Sequence, residues 1–140
     1  MENPFLTHML GRIRKAIRRD FEQHAEALEI TTAQFQVLRR LWQGDGIFTT
    51  MLTKDVCSDG GTITGLLDRL EAKELIRRER STADRRAVQV YLTPAGRDLE
   101  EPLMGIVGGI NERALTGFTE IEIEALRSAL QRIGENLGTE

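Results

Sequence analysis

Apolar residues recur at Leu6, Met9, Leu10, Ile13, Ile17, Phe21 and Leu28, which predicts an amphipathic helix of about seven turns. Asn3-Pro4 suits its start, with Asn as cap and Pro in the first helical position. Arg12, Arg14, Lys15, Arg18 and Arg19 lie on the polar side. So long a helix in a small chain has more apolar face than one neighbour covers, so part of it is expected to serve dimerisation. "TTAQFQVLRRLWQ" predicts a second helix, capped by Thr31 or Thr32 and burying Phe35, Leu38, Leu41 and Trp42. "GDG" ends it, and "IFTT" leans toward strand.

"TTMLTKDVC" then predicts a short helix, with Leu52 and Val56 four apart. "SDGG" breaks the chain, and Asp59 is a candidate cap for the next helix, "GGTITGLLDRLEAKEL". Its apolar positions are Ile63, Leu66, Leu67, Leu70 and Leu75. Two helices joined by a glycine-bearing turn make a helix-turn-helix pattern. "IRRER" and "AVQVYLT" read as a β-hairpin closed by "STAD", with Val88, Val90 and Leu92 on one face and Gln89 and Tyr91 on the other. Thr93-Pro94 starts a helix expected to run to about Leu115 with Leu99, Leu103, Ile106, Val107 and Ile110 inward. Thr119 and Glu122 form a capping-box pair, and Leu126, Leu130, Ile133 and Leu137 make a narrow seam suited to a helix partner. No internal repeat or low-complexity segment interrupts this order.

Composition narrows the class. The 140 residues fit one domain with helical extensions, and 40% hydrophobic with 29% charged residues is ordinary for a globular chain. No apolar run approaches the length of a membrane span, and the N-terminus does not read as a signal peptide. A single cysteine excludes an internal disulfide, so a cytoplasmic protein without membrane association is expected. Charge changes the picture more. The formal net charge is -3, yet residues 69–97 hold eight Lys/Arg against four acids, and residues 98–140 hold three Arg against nine acids. "RRERSTADRRAVQV" alone contains five arginines. A locally basic hairpin suggests a polyanion partner for that segment; the plainer reading is a solvated hairpin.

The segments "TTAQFQVLRRL" and "TITGLLDRLEAKELIRRERSTADRRAVQVYLTPAGRDL" resemble the MarR-type family of winged helix-turn-helix regulators. The specific signal is the succession of a "T-x-L-L-D-R-L-E"-like run ("TGLLDRLE"), "DRRA" and "V-x-L-T-x-x-G" at these spacings. The resemblance spans residues 31–99 in motif and implies a mostly α fold with a small β-wing. Residues 31–93 would form the DNA-binding lobe, and residues 1–30 and 94–140 the dimerisation helices. It further implies a homodimer on near-palindromic double-stranded DNA, acting as a repressor and released by a small aromatic or phenolic effector. Glu74 stands where the family usually has a helix-ending glycine. Gly60-Gly61 opens the recognition helix, and Gly65 replaces a longer residue, so readout is expected to lean on Thr62, Thr64 and the wing.

The recognition helix, about residues 60–73, is expected in the major groove, with Thr62 and Thr64 reaching phosphates, bases or thymine methyls. Both threonines also fit the plainer role of satisfying helix-start amides. Arg69 and Lys73 are further candidate contacts on that helix. In the wing, about residues 77–92, Arg85 and Arg86 are candidates for the minor groove, and which reaches deeper is left open. Arg77 and Arg78 are expected to face phosphate or to form salt bridges. Asp84 is expected to help form the turn, and by the resemblance Asp68 pins Arg86. The family's effector region implies Met9, Arg12, Ile13, Phe35, Trp42 and Met51 as pocket candidates, Arg12 meeting a carboxylate or phenolate.

Two other classes are weighed against this reading. A winged-helix module that binds an acidic protein surface shares the basic hairpin. A thiol-redox regulator would use Cys57, although the family's peroxide sensors carry their cysteine in the first helix, which here has none. His8 and His24 lack clustered acids or thiols, so no metal or other cofactor is expected. No nucleophile-base set, phosphate loop or catalytic carboxylate pair occurs, so an enzyme is not expected.

Overall fold

The computed structural model describes residues 5–56 and 62–139. The expected helix start at Asn3-Pro4, Cys57, the Asp59 cap and the Gly60-Gly61 opening lie outside them. The chain divides into two compact units, residues 1–107 and 108–140.

In the first unit, α1 spans Phe5–Ala25 and continues as a 3₁₀ turn at Glu26–Leu28. The helix expected to reach Leu28 therefore tightens three residues early. α2 (Thr32–Trp42) begins with a full capping box: Thr31 accepts from the Gln34 amide and the Gln34 side chain accepts from the Thr31 amide. β1 (Ile47–Phe48) leads into α3 (Thr49–Asp55) and α4 (Ile63–Ala72). β2 (Ile76–Arg80) and β3 (Val88–Leu92) follow. The sheet has order β1-β3-β2, with Ile76 opposite Leu92, Arg78 opposite Val90 and Ile47 opposite Val90 on the other side. Leu38, Leu41, Leu52, Leu66, Leu67, Leu70, Val90 and Leu92 fill the core beneath this sheet and the helix pair. The fold is thus mostly α with a small three-stranded antiparallel sheet.

α4 ends in a way that governs the site. The Leu75 amide donates to the Leu70 carbonyl and the Glu74 amide to the Glu71 carbonyl, a Schellman closure with buried Leu70 and Leu75 at its flanks. Leu75, expected within the helix, lies beyond it for this reason. Glu74 takes φ 59°, the left-handed conformation that glycine adopts without a Cβ penalty.

α5 (Pro94–Asp98) and α6 (Glu100–Ala114) replace the single helix expected from Pro94 to about Leu115. Pro102 has no N–H to offer the Asp98 carbonyl, so the ladder is interrupted just where the break at Leu99 occurs. Gly96 is required: a Cβ there would stand 2.1 Å from the Leu75 carbonyl oxygen. In the second unit, α7 (Glu120–Asn136) starts with the expected Thr119/Glu122 capping box. Its Leu126, Leu130 and Leu137 are exposed. On α1, Phe5, Met9, Ile13 and Ile17 are 60%, 51%, 47% and 44% exposed, too open for core residues of a single chain.

Replacing Glu74 by Gly removes the left-handed penalty and is expected to stabilise the protein by about 1 kcal/mol. Urea unfolding at fixed protein concentration measures this; an unchanged or lower midpoint contradicts the strain assigned to Glu74.

Candidate nucleic-acid interface

α4 buries Leu66, Leu67 and Leu70 and turns Thr64, Asp68 and Arg69 outward. Thr62 caps the helix by accepting from the Gly65 amide at 3.2 Å, so its hydroxyl is committed to the backbone in the plainer of the two expected roles. Thr64 and Arg69 are exposed, and no ion pair engages Arg69 among the described residues.

One guanidinium joins this helix to the wing. Arg78 Nη2 donates to Asp68 Oδ1 at 2.6 Å and to Glu71 Oε1 at 3.0 Å, while its Nε and its backbone amide both donate to Glu71 Oε2, at 3.3 and 3.1 Å. Asp68 and Glu71 are three apart on α4, so one face presents both carboxylates to the middle of β2. The hydrogen bond from Arg78 holds the Glu71 carboxyl below its usual range, and the paired acids raise Arg78. Two expectations are corrected here. Asp68 pairs with Arg78 rather than Arg86, because β2 is the strand that emerges beside α4. Arg78, expected among the phosphate contacts, spends its donors on those acids.

The other wing cations divide. Arg77 lies over the Tyr91 ring, 4.5 Å from its centroid, and pairs with Glu79. Arg80 Nη1 donates to the Arg85 carbonyl at 2.9 Å. The tip is closed by Ser81 N–H to the Ala87 carbonyl at 2.9 Å and Ala87 N–H to the Asp84 carbonyl at 3.0 Å. Ser81 Oγ accepts from the Ala83 and Asp84 amides, and Asp84 Oδ1 accepts from the Arg86 amide at 3.0 Å. This ordered turn presents Arg85 and Arg86, both exposed and without an ion pair among the described residues.

Lys73 behaves unlike a free cation. Its Nζ donates to the Glu29 carbonyl and to Gln34 Oε1, the latter at 3.1 Å. Glu71, Gln34 and Arg80 were not among the expected site residues. Glu71 was findable as the second acid on Asp68's helix face, and Gln34 as the partner of Thr31 in "TTAQ"; Arg80's bond to a carbonyl leaves no mark in sequence.

The effector candidates are not gathered into one place. Phe35 is buried, its ring 4.9 Å from Phe21 and 6.0 Å from Trp42, and Trp42 Nε1 donates to the Gly96 carbonyl at 3.0 Å. Met9, Arg12, Ile13 and Met51 are exposed. An open cleft of about 360 Å³ is lined by Gln36, Arg39, Arg40, Gln43 and Asp55, none of them an effector candidate. No helix among the described residues is long and apolar enough to cross a membrane, and no His/Cys/Asp/Glu group there is arranged to hold a metal.

The model of the MarR family matches residues 30–88. The organic hydroperoxide resistance transcriptional regulator of Bacillus subtilis (strain 168) is 30% identical over 145 residues, covering 98% of this chain and 97% of that protein. The HTH-type transcriptional regulator TtmR of Methylorubrum extorquens (strain PA1) is 37% identical over 112 residues; the match takes in 78% of this chain and 55% of that protein's length. Among solved structures, the Staphylococcus aureus MepR–DNA complex superposes with TM-score 0.83 at 26% identity, covering 93% of this chain and 96% of that one. Bordetella bronchiseptica BpsR, whose DNA binding is regulated by 6-hydroxynicotinic acid, gives TM-score 0.81 at 29% identity, with 92% and 98% covered.

Because the folded-state pKa of Glu71 is depressed, its contribution to stability is present at neutral pH and is lost as pH falls through the carboxylate range. Glu71→Gln is therefore expected to lower Tm at pH 7, with the gap from the wild type closing under acid conditions. Parallel Tm profiles for the two proteins would show that the Arg78 contact adds nothing.

Proposed function

Because the chain belongs to the MarR family of DNA-binding transcriptional regulators, we propose that it works as a dimeric, ligand-responsive repressor of near-palindromic double-stranded DNA. α4 enters the major groove with Thr64 and Arg69 outward, and the wing brings Arg85 and Arg86 to the adjacent minor groove. The observation that carries this reading is the closed wing tip: two unpaired arginines project from an ordered turn beside a clamped helix. A hairpin that was merely solvated has no need of a guanidinium bridging it to two acids of the preceding helix.

Residues 1–30 and 94–140 supply the dimer's helices in this reading. The exposed apolar stripe of α1 and, separately, the leucine seam of α7 are surfaces that a second copy would cover. DNA binding by the MepR relative and ligand regulation of the BpsR relative support a DNA partner and a small aromatic effector. The cluster of Phe35 and Trp42, with Met9, Arg12, Ile13 and Met51 as further candidates, is where such an effector would act. Function in the cytoplasm, where DNA is accessible, follows from the same reading.

Arg86→Ala is expected to weaken operator binding by about 1–3 kcal/mol in a fluorescence anisotropy titration. Arg85→Ala, measured beside it, reports which of the two reaches deeper. Wild-type binding should fall with salt by a logarithmic slope of about -0.9 per neutralised phosphate. A shallow slope with no preference for a palindromic duplex would favour a protein-interaction module instead.

A further inference from the structure

The exit of α4 is gripped from two sides. Lys73, Glu74 and Leu75 are consecutive, and each is bonded to a different part of the chain. Lys73 reaches the Glu29 carbonyl and the buried Gln34 side chain, whose Oε1 also accepts from the Thr31 amide at 3.2 Å. The Glu74 carbonyl accepts from Thr93 Oγ1 at 2.7 Å, and the Leu75 carbonyl accepts from the Thr93 amide at 3.1 Å. Glu29 lies in the reversal by which the chain leaves α1, and Thr93 caps the start of α5.

Glu29 and Glu74 are the two non-glycine residues at positive φ among the described residues, at 57° and 59°. Each closes the same kind of turn. After the 3₁₀ turn that follows α1, the Glu29 amide donates to the Glu26 carbonyl and the Ile30 amide to the Ala25 carbonyl. Two strained caps are thus joined through one ammonium. Strain of this kind persists only where surrounding bonds over-determine it.

We propose that Lys73 is a positioning residue that couples the end of recognition helix α4 to the α1 exit, setting the angle at which each α4 of the dimer meets its half-site. This rests on the DNA-binding reading above and assigns Lys73 a role other than contact with phosphate. An ammonium has three donors, and two are committed to Glu29 and Gln34. A methionine keeps the stem and loses the link; an arginine keeps both charge and donors.

The test compares wild type, Lys73→Met and Lys73→Arg on duplexes drawn from random-sequence DNA by the wild type. The spacing between half-sites is then stepped one base pair at a time. Wild type should discriminate its best spacing from the neighbouring ones by about tenfold, and Lys73→Met by less than about threefold, at an unchanged salt slope. Lys73→Arg should restore discrimination. On the DNA-free proteins, Lys73→Met should speed amide hydrogen exchange about tenfold at residues 26–30 and 70–75, leaving residues 88–92 unchanged. An even loss of affinity at every spacing, with the slope shallower by about 0.9, would make Lys73 a phosphate ligand and overturn the proposal. Unchanged exchange at residues 26–30 would overturn it as well. Failure of the wild type to bind any selected duplex would instead remove the DNA-binding reading, while the exchange arm still decides the link.

Discussion

A groove-reading helix and a wing form one surface only if the angle between them is fixed, and here a single guanidinium fixes it. Arg78 reaches carboxylates on two neighbouring turns of α4 from the centre of β2. Only a planar, multi-donor cation fits that task; a lysine ammonium is a point charge and would favour one acid over the other. Arg78 is 24% exposed while Asp68 is 60% exposed, so the cation is the more sheltered partner. The arrangement also settles an electrostatic conflict. Asp68 stands on the outer face of a helix meant to approach a polyanion, and Arg78 offsets its charge there.

The same division of labour explains how an acidic chain carries so many arginines in one hairpin. Three are occupied by the fold: Arg77 with Tyr91 and Glu79, Arg78 with α4, and Arg80 with the backbone of the tip. Arg85 and Arg86 are left to act outward. The net charge of -3 is a property of the whole chain, with the acids concentrated in residues 98–140. At ordinary ionic strength the Debye length is about 8–10 Å, so the wing's field is set by its own neighbours rather than by distant acids.

Much of this was legible in sequence because period and capping chemistry are local. "TTAQ", "TPAG" and "TEIE" each announced a helix start that the structure contains. The hairpin register followed from the alternation of Val88, Val90 and Leu92. Helix ends were less legible. Glu29 and Glu74 sit in left-handed turns without the glycine that normally marks them, so α1 and α4 were read too long. The break at Leu99 was hidden because Pro102 acts on a carbonyl four residues earlier. Long-range partners were the least legible: composition showed that Arg78 and Lys73 were basic, and only the three-dimensional arrangement separates them from Arg85 and Arg86.

The central claim is that α4 and the wing read DNA as one clamped unit. A double-mutant cycle on operator affinity between Arg78→Met, which opens the clamp, and Arg86→Ala, which removes the wing's cation, tests it most directly. If the clamp positions the wing, the two losses overlap, and the double variant should bind more tightly than their sum implies by at least about 1 kcal/mol. Strictly additive losses would mean that Arg78 and Arg86 act on DNA independently, and the clamp would not be what unites the two readers.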